Sequence, residues 1–204
     1  MKKWFLIIAT ALLCTMQVKA DSPLTSTDIY KAYMDVPIVA QAARNKGNLS
    51  REMMDYLYNE ANPMDVKIAL INAVGWNFDG LPSFKNYLDY CKGKMGDKSR
   101  YITDIDVCTN ASPKQLVVMA YLAAMSNYSD MHVPMLLANL ALLNADENSQ
   151  AFMMPIGLIF CQEAEGDDMC KIMEQCVDMP QNKDVREDAV DEVMDYINFC
   201  CESD

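Results

Sequence analysis

The chain is poor in the residues from which active sites are most often built. It has one histidine, His132, and seven glycines in 204 residues. A single imidazole cannot assemble a histidine-based zinc site, and the Cys-x-x-Cys spacing of structural zinc and thiol redox motifs does not occur. Gly-x-Ser-x-Gly, His-Glu-x-x-His and glycine-rich phosphate loops are absent too, which removes the main signatures of esterases, zinc proteases and nucleotide enzymes. Apolar runs stay well short of the roughly 20 residues that a membrane-spanning helix needs. Cations are scarce as well: 17 Lys and Arg stand against 29 Asp and Glu, a net charge of −12. Such a chain lacks the basic footprint of a nucleic-acid binder and is repelled by anionic lipid surfaces.

The amino-terminal residues are the exception to this acidity. Lys2 and Lys3 precede an apolar run from Trp4 to Cys14, and Val18-Lys19-Ala20 forms a small-residue cut site before Asp21. This order predicts a secretory signal of bacterial type over residues 1–20, removed to leave one domain at 21–204 in the periplasm or outside the cell. The lipoprotein alternative, with Cys14 acylated, is the weaker reading, because bulky Leu13 stands where that processing needs a small residue. An extracytoplasmic compartment is oxidising, so the remaining cysteines read first as disulfides.

Loss of the leader removes three lysines and no acid, which takes the net charge from −12 to −15. Residues 21–115 are nearly balanced, whereas 116–204 hold three cations against seventeen acids. The acid concentrates in 163–204, where Glu163, Glu165, Asp167, Asp168, Asp184, Glu187, Asp188, Asp191, Glu192 and Asp195 are the candidates for contact with a partner. The plainer reading of these residues is a solvated face that keeps the protein soluble. Seven cysteines follow the leader: Cys91, Cys108, Cys161, Cys170, Cys176, Cys200 and Cys201. An odd count leaves one unpaired or shared between chains. Cys91 with Cys108 would staple the Lys-rich loop between them, and Cys161, Cys170 or Cys176 would join the Cys200-Cys201 doublet.

No stretch alternates apolar and polar residues long enough to propose a strand, whereas helical periodicity recurs with clear stops. The expected elements are a helix from Ser26 or Thr27 to Arg44, bent at Pro37, and a short one after Ser50. A third is capped by Asn62-Pro63 and ends at Gly75-Trp76; a fourth runs from Pro82 through Cys91, and a fifth from Ser112-Pro113 to Ala124. Segments at about 131–144, 149–163, 167–178 and 184–201 complete an all-α domain of eight to nine helices in antiparallel pairs, either a compact bundle or a short α-superhelix. The helices between Leu116 and Phe160 are apolar nearly all round and are expected to be buried on several faces. Met54-Asp55-Tyr56-Leu57 followed by Asn62 to Asp65 is echoed by Met119-Ala120-Tyr121-Leu122 followed by Asn127 to Asp130, a weak internal repeat that would suit stacked helix pairs.

Chemistry-bearing groups are few. His132 beside Asp130 reads as a general base only if the carboxylate orients the ring, and otherwise as a residue at a helix start. Asp104 with Asp106, Asp167 with Asp168, and Glu163 with Glu165 are carboxylate pairs without a calcium-loop spacing or an aromatic sugar platform. Trp76 reads as a packing residue at a helix end, and the seventeen methionines as core filler at helical spacing rather than copper ligands. Lys92, Lys94, Lys98 and Arg100 form a small basic loop suited to pairing with the acidic tail. No cofactor and no metal site is expected.

These features point to a non-enzymatic extracytoplasmic protein that engages a basic protein through its acidic surface, in its sharpest form an inhibitor or immunity-type protein for a cationic toxin or hydrolase. The alternatives are a small-ligand or metal-binding helical protein with a Met-lined pocket, and a carboxylate-based hydrolase. Expression of the whole chain in a bacterium with a periplasm is expected to give a periplasmic product whose first residue is Asp21, read by terminal sequencing or intact mass. A product beginning at Met1 or at an acylated Cys14 would refute the assignment.

Overall fold

The computed structural model describes residues 22–96, 101–145 and 148–201; the leader with Cys14, and Lys98 and Arg100 of the basic loop, lie outside them. Eleven α-helices and one 3-10 turn make up the regular structure of the described residues, without a strand among them. In chain order they are α1 (Pro23–Ser26), the 3-10 turn (Ile29–Tyr33), α2 (Pro37–Arg44), α3 (Arg51–Tyr58), α4 (Met64–Val74) and α5 (Ser83–Lys94). There follow α6 (Asp104–Thr109), α7 (Pro113–Ser126), α8 (His132–Asn144), α9 (Gln150–Cys161), α10 (Gly166–Asp178) and α11 (Glu187–Cys201).

The all-α class holds, but the helix count exceeds the expected eight to nine for two local reasons. The single helix expected from Ser26 or Thr27 to Arg44 is broken into the 3-10 turn and α2, and a separate short α1, opened by Pro23, precedes it. Pro37 has no N–H to continue a helix and holds Val36 in extended backbone, φ −87° and ψ 116°, so α2 starts afresh with proline at its first position. The second reason is α6, which the apolar periodicity does not reveal. Thr103 and Asp106 form a reciprocal capping box there, with Asp106 N–H bonded to the threonine hydroxyl and the Asp106 carboxylate accepting from Thr103 N–H at 2.8 Å.

Serine caps behave as their sequence context predicts. The hydroxyls of Ser50, Ser112 and Ser149 accept from the backbone N–H of Met53, Gln115 and Phe152, opening α3, α7 and α9. Asn62 departs from expectation: its amide donates 2.8 Å back to the Tyr56 carbonyl at the end of α3, and extended Pro63 flanks α4 instead.

The core is built on α4, α7 and α9, which pack on one another and are buried nearly all round. Gly157 lets α10 approach α9, since a Cβ there would stand 2.9 Å from Cys176 Cβ. Asn72, buried inside this core, is fully partnered. The Asn72 amide of α4 donates to Thr27 O at 2.9 Å and to Tyr121 Oη at 3.1 Å, and its carbonyl accepts from Tyr30 N–H at 3.1 Å. One side chain thereby ties the amino-terminal segment to α4 and α7. The expected burial on several faces holds for α7 and α9 but not for α8, which has one face buried and one exposed. In the two echoed segments, Met54 is half-buried and Met119 fully buried, so the matching residues stand in different surroundings.

Lys67 lies inside α4 and is 1% exposed. Burial holds its amine down to about 8, with nearby Glu60 opposing the shift and Lys114 adding to it. Between about pH 8 and the ordinary lysine value of 10.5 the unfolded chain binds more protons here than the folded one. The destabilisation by this group is therefore full below pH 8 and fades as the pH rises through that window. Lys67→Met, which keeps the stem and drops the charge, is expected to raise the unfolding free energy by about 1–3 kcal/mol at pH 7 and by much less at pH 10.5. Urea titrations at both pH values check this, and an equal gain at each would refute it.

Candidate functional site: an acidic two-helix face

The last two helices are amphipathic, and their outer faces carry the acid of the tail. In α10 the buried set is Met173, Cys176 and Val177, with Met169 and Cys170 half-buried, the i, i+3, i+4, i+7 stripe of a helix lying on a core. In α11 Ala189, Val193 and Ile197 are buried at every fourth position. Half-buried residues such as Ile172, Val190 and Met194 flank these stripes, and the positions beyond them face solvent. Asp167 and Asp168 occupy the first turn of α10, and Glu187 and Asp188 that of α11, where the helix dipole favours negative charge. Asp188, Asp191 and Asp195 then follow one side of α11 over about 10 Å, at 1.5 Å of rise per residue.

A disulfide between Cys170 and Cys201 joins the start of α10 to the end of α11, with a Cα–Cα distance of 6.3 Å across a separation of 31 residues. This is one of the three expected links to the Cys200-Cys201 doublet. Cys200 is a thiol, and so are Cys161 and Cys176, which burial pushes up to about 12 and about 11. The expected Cys91–Cys108 staple is not closed in this structure. Both are thiols, and burial pushes Cys91 up to about 11. A buried thiol held protonated is a poor nucleophile at neutral pH.

Of the ten acidic candidates, eight are exposed: Glu163, Glu165, Asp167, Asp168, Glu187, Asp188, Asp191 and Asp195. The other two serve the fold. Asp184 accepts from Ser149 Oγ at 2.7 Å and Ala151 N–H at 2.9 Å, which pins the tail to the start of α9. Glu192 accepts from Asp28 N–H at 3.3 Å and lies 3.9 Å from Lys31 Nζ, which ties α11 to the amino-terminal segment. Exposed Glu174 and Asp178 on α10 belong to the same surface. Their 3.6-residue register with the buried stripe is the signal that identifies them.

The three cations of the tail are all engaged. Lys171 Nζ is 3.4 Å from Asp168 Oδ1. Lys183 Nζ donates to the carbonyls of Val177 at 2.6 Å and Asp178 at 2.9 Å, at the carboxyl end of α10. Arg186 holds Asp35 with both nitrogens at 2.6 and 3.1 Å, donates to Ala32 O, and lies 4.5 Å over the Tyr33 ring. That guanidinium keeps the Asp35 carboxyl below its ordinary range. The two described lysines of the basic loop are engaged elsewhere. Lys92 pairs with Asp104 and Asp89, and Lys94 with Asp55 while lying 5.0 Å over the Tyr90 ring.

The remaining chemical candidates take structural places. Asp130 accepts from the backbone N–H of His132 at 3.2 Å, so this contact starts α8 rather than orienting the ring. Asp106 is spent in its capping box, and Asp104 on Lys92. Trp76 donates to Thr25 O and meets Phe78 and Tyr128 edge-on at 5.1 Å. Among the described residues no three of His, Cys, Asp and Glu gather to hold a metal ion. A cavity that methionines do line, with Tyr58, Cys91, Met95 and Met119 in its wall, holds about 60 Å³. Small-molecule pockets run from about 300 Å³ upward. Comparison with known protein families, curated proteins and solved structures returns no match to this chain.

The Cys170–Cys201 link sets how rigidly the two acidic helices are held together. Cys170→Ser or Cys201→Ser is expected to cost about 3–4 kcal/mol of stability from the entropy of a loop this long. Urea midpoints of the oxidised parent and the variants measure it. Stability unchanged by either substitution would show that packing alone holds the pair.

Proposed function

We propose that this chain is a non-enzymatic, extracytoplasmic binding protein whose α10–α11 face docks a basic protein. In its sharpest form it is an inhibitor or immunity-type protein that masks a cationic toxin or hydrolase. The observation that carries the reading is the state of the tail's cations: Lys171, Lys183 and Arg186 are each engaged locally, while eight of the ten candidate acids remain exposed. A one-signed surface of this kind concentrates its field outward, speeds encounter with an oppositely charged partner and repels anionic ones. Met179, 70% exposed, and Phe199, 67% exposed, lie on the same two-helix unit and offer the large apolar side chains that anchor the centre of an interface.

Capture of a basic protein from the producing cell's envelope extract, followed by salt elution, tests the reading. Asp188→Asn, Asp191→Asn and Asp195→Asn combined are expected to slow association at low salt by about tenfold and to flatten its dependence on ionic strength. A specific partner bound with the same rate and salt dependence by the triple variant would overturn it.

A further inference from the structure

Helix α8 has an apolar surface that nothing among the described residues covers. Its inward residues, Pro134, Leu137, Ala138 and Ala141, are buried, and the helix packs on α7 and α9. Outward stand Val133 at 42%, Leu136 at 55% and Leu143 at 81% exposure, with half-buried Leu140 completing a stripe spaced three, four and three residues apart. That is the spacing of a helix seam made to interlock with another helix. The stripe runs on at Val133 into an open groove of about 600 Å³, whose far side includes Phe78, 69% exposed. Together these side chains present about 500 Å² of apolar surface, at the upper end of what a monomer ordinarily shows.

We infer that this stripe is a self-association surface, on which a second copy of the chain docks through its own α8 in antiparallel orientation. Charge selects the occupant. The segment from His132 to Asn144 contains no Asp, Glu, Lys or Arg, in a chain of net charge −12. Two copies meeting along this segment bring no charged side chain of its own to the contact, and Asp79 and Asp130 stay in the groove beyond Val133, whereas approach through the acidic α10–α11 face sets like charges together. The stripe is also self-complementary about the level of Ala138. In an antiparallel pair Val133 lies opposite Leu143 of the second copy, and Leu136 opposite its Leu140, as a two-fold isologous contact requires. The paired stripes alone, without Phe78, hide about 700 Å² in total, the size of a weak and transient contact. This surface is separate from the one assigned to a basic partner, and neither reading depends on the other.

Sedimentation of the purified full chain from about 1 to 100 µM tests the inference. The mass is expected to rise from that of one copy to that of two across the range. Leu143→Asp, at the most exposed position, is expected to weaken the dimer at least about tenfold with an unchanged helical spectrum. A chain carrying Leu136→Lys with Leu140→Lys, and another carrying Leu136→Glu with Leu140→Glu, are each expected to stay monomeric. Their equimolar mixture regains the dimer, because every lysine then faces a glutamate across the pair. A chain that stays monomeric throughout the range overturns the inference, whether or not it binds neutral phosphatidylcholine vesicles. A dimer that survives these substitutions, or a mixture that stays monomeric, overturns the antiparallel pairing.

Discussion

Three helices without a polar face, α4, α7 and α9, constrain everything around them. A helix apolar on all sides has to be enclosed on all sides, since each exposed leucine-sized side chain forfeits about 1.5–3 kcal/mol of burial. The other elements are accordingly distributed as cover: the 3-10 turn and α2 over α4, α5 and α8 over α7, α10 over α9. Close enclosure leaves little tolerance for volume, so the α9–α10 contact is made at Gly157, where nothing larger than hydrogen fits against Cys176. It also leaves no water for polar atoms, which accounts for the Asn72 amide being met by Thr27, Tyr30 and Tyr121 at once.

Closing the cover takes charge, and this governs how the acidic tail is to be understood. The segment between α10 and α11 turns back on the core through three ionised side chains. Lys183 caps the carbonyls that end α10, Asp184 caps the amino terminus of α9, and Arg186 reaches across to Asp35 and the Tyr33 ring. The Arg186 backbone N–H also donates to Tyr33 Oη at 3.1 Å. A carboxylate that satisfies a helix amino terminus is structural, whatever its contribution to the net charge. Beyond this turn Glu192 alone of the candidate acids ties α11 to the amino-terminal segment, and the surplus charge on the surface belongs to the exposed acids of the tail.

What could be read from the sequence divides along the same line. Ser50 and Ser112 were legible as caps because capping is decided within four residues. Pro37 was legible as an interruption for the same reason, although its neighbour Val36 turned a bend into a full break. The buried stripes of α10 and α11 follow from periodicity alone. Asp184 and Glu192 were not separable from the other acids, because their partners, Ala151 and Asp28, lie 33 and 164 residues away. Lys67 was hidden by its own helix: a lysine within an apolar helix looks like the one wet position, and here it is 1% exposed. The choice of Cys201 over Cys200 depends on which side of α11 faces α10, a property of packing that spacing does not carry.

Helix α8 is where pattern and environment part most clearly, and the reason is a limit on enclosure itself. A chain of this size has only so many helices to serve as cover, and α8 is itself cover for α7, so its outer side is the last layer. An apolar outer layer is costly in water unless something else takes the place of the missing neighbour. The same chain concentrates its charge on α10 and α11 and puts none on α8. Charge repulsion between copies is therefore weakest where apolar exposure is greatest, and a two-fold pair through α8 would turn a defect of enclosure into an interface while leaving both acidic faces open. In such a pair two acidic faces belong to one particle, and a surface or assembly bearing several basic sites would be held by both at once, a gain set by geometry rather than by any further contact.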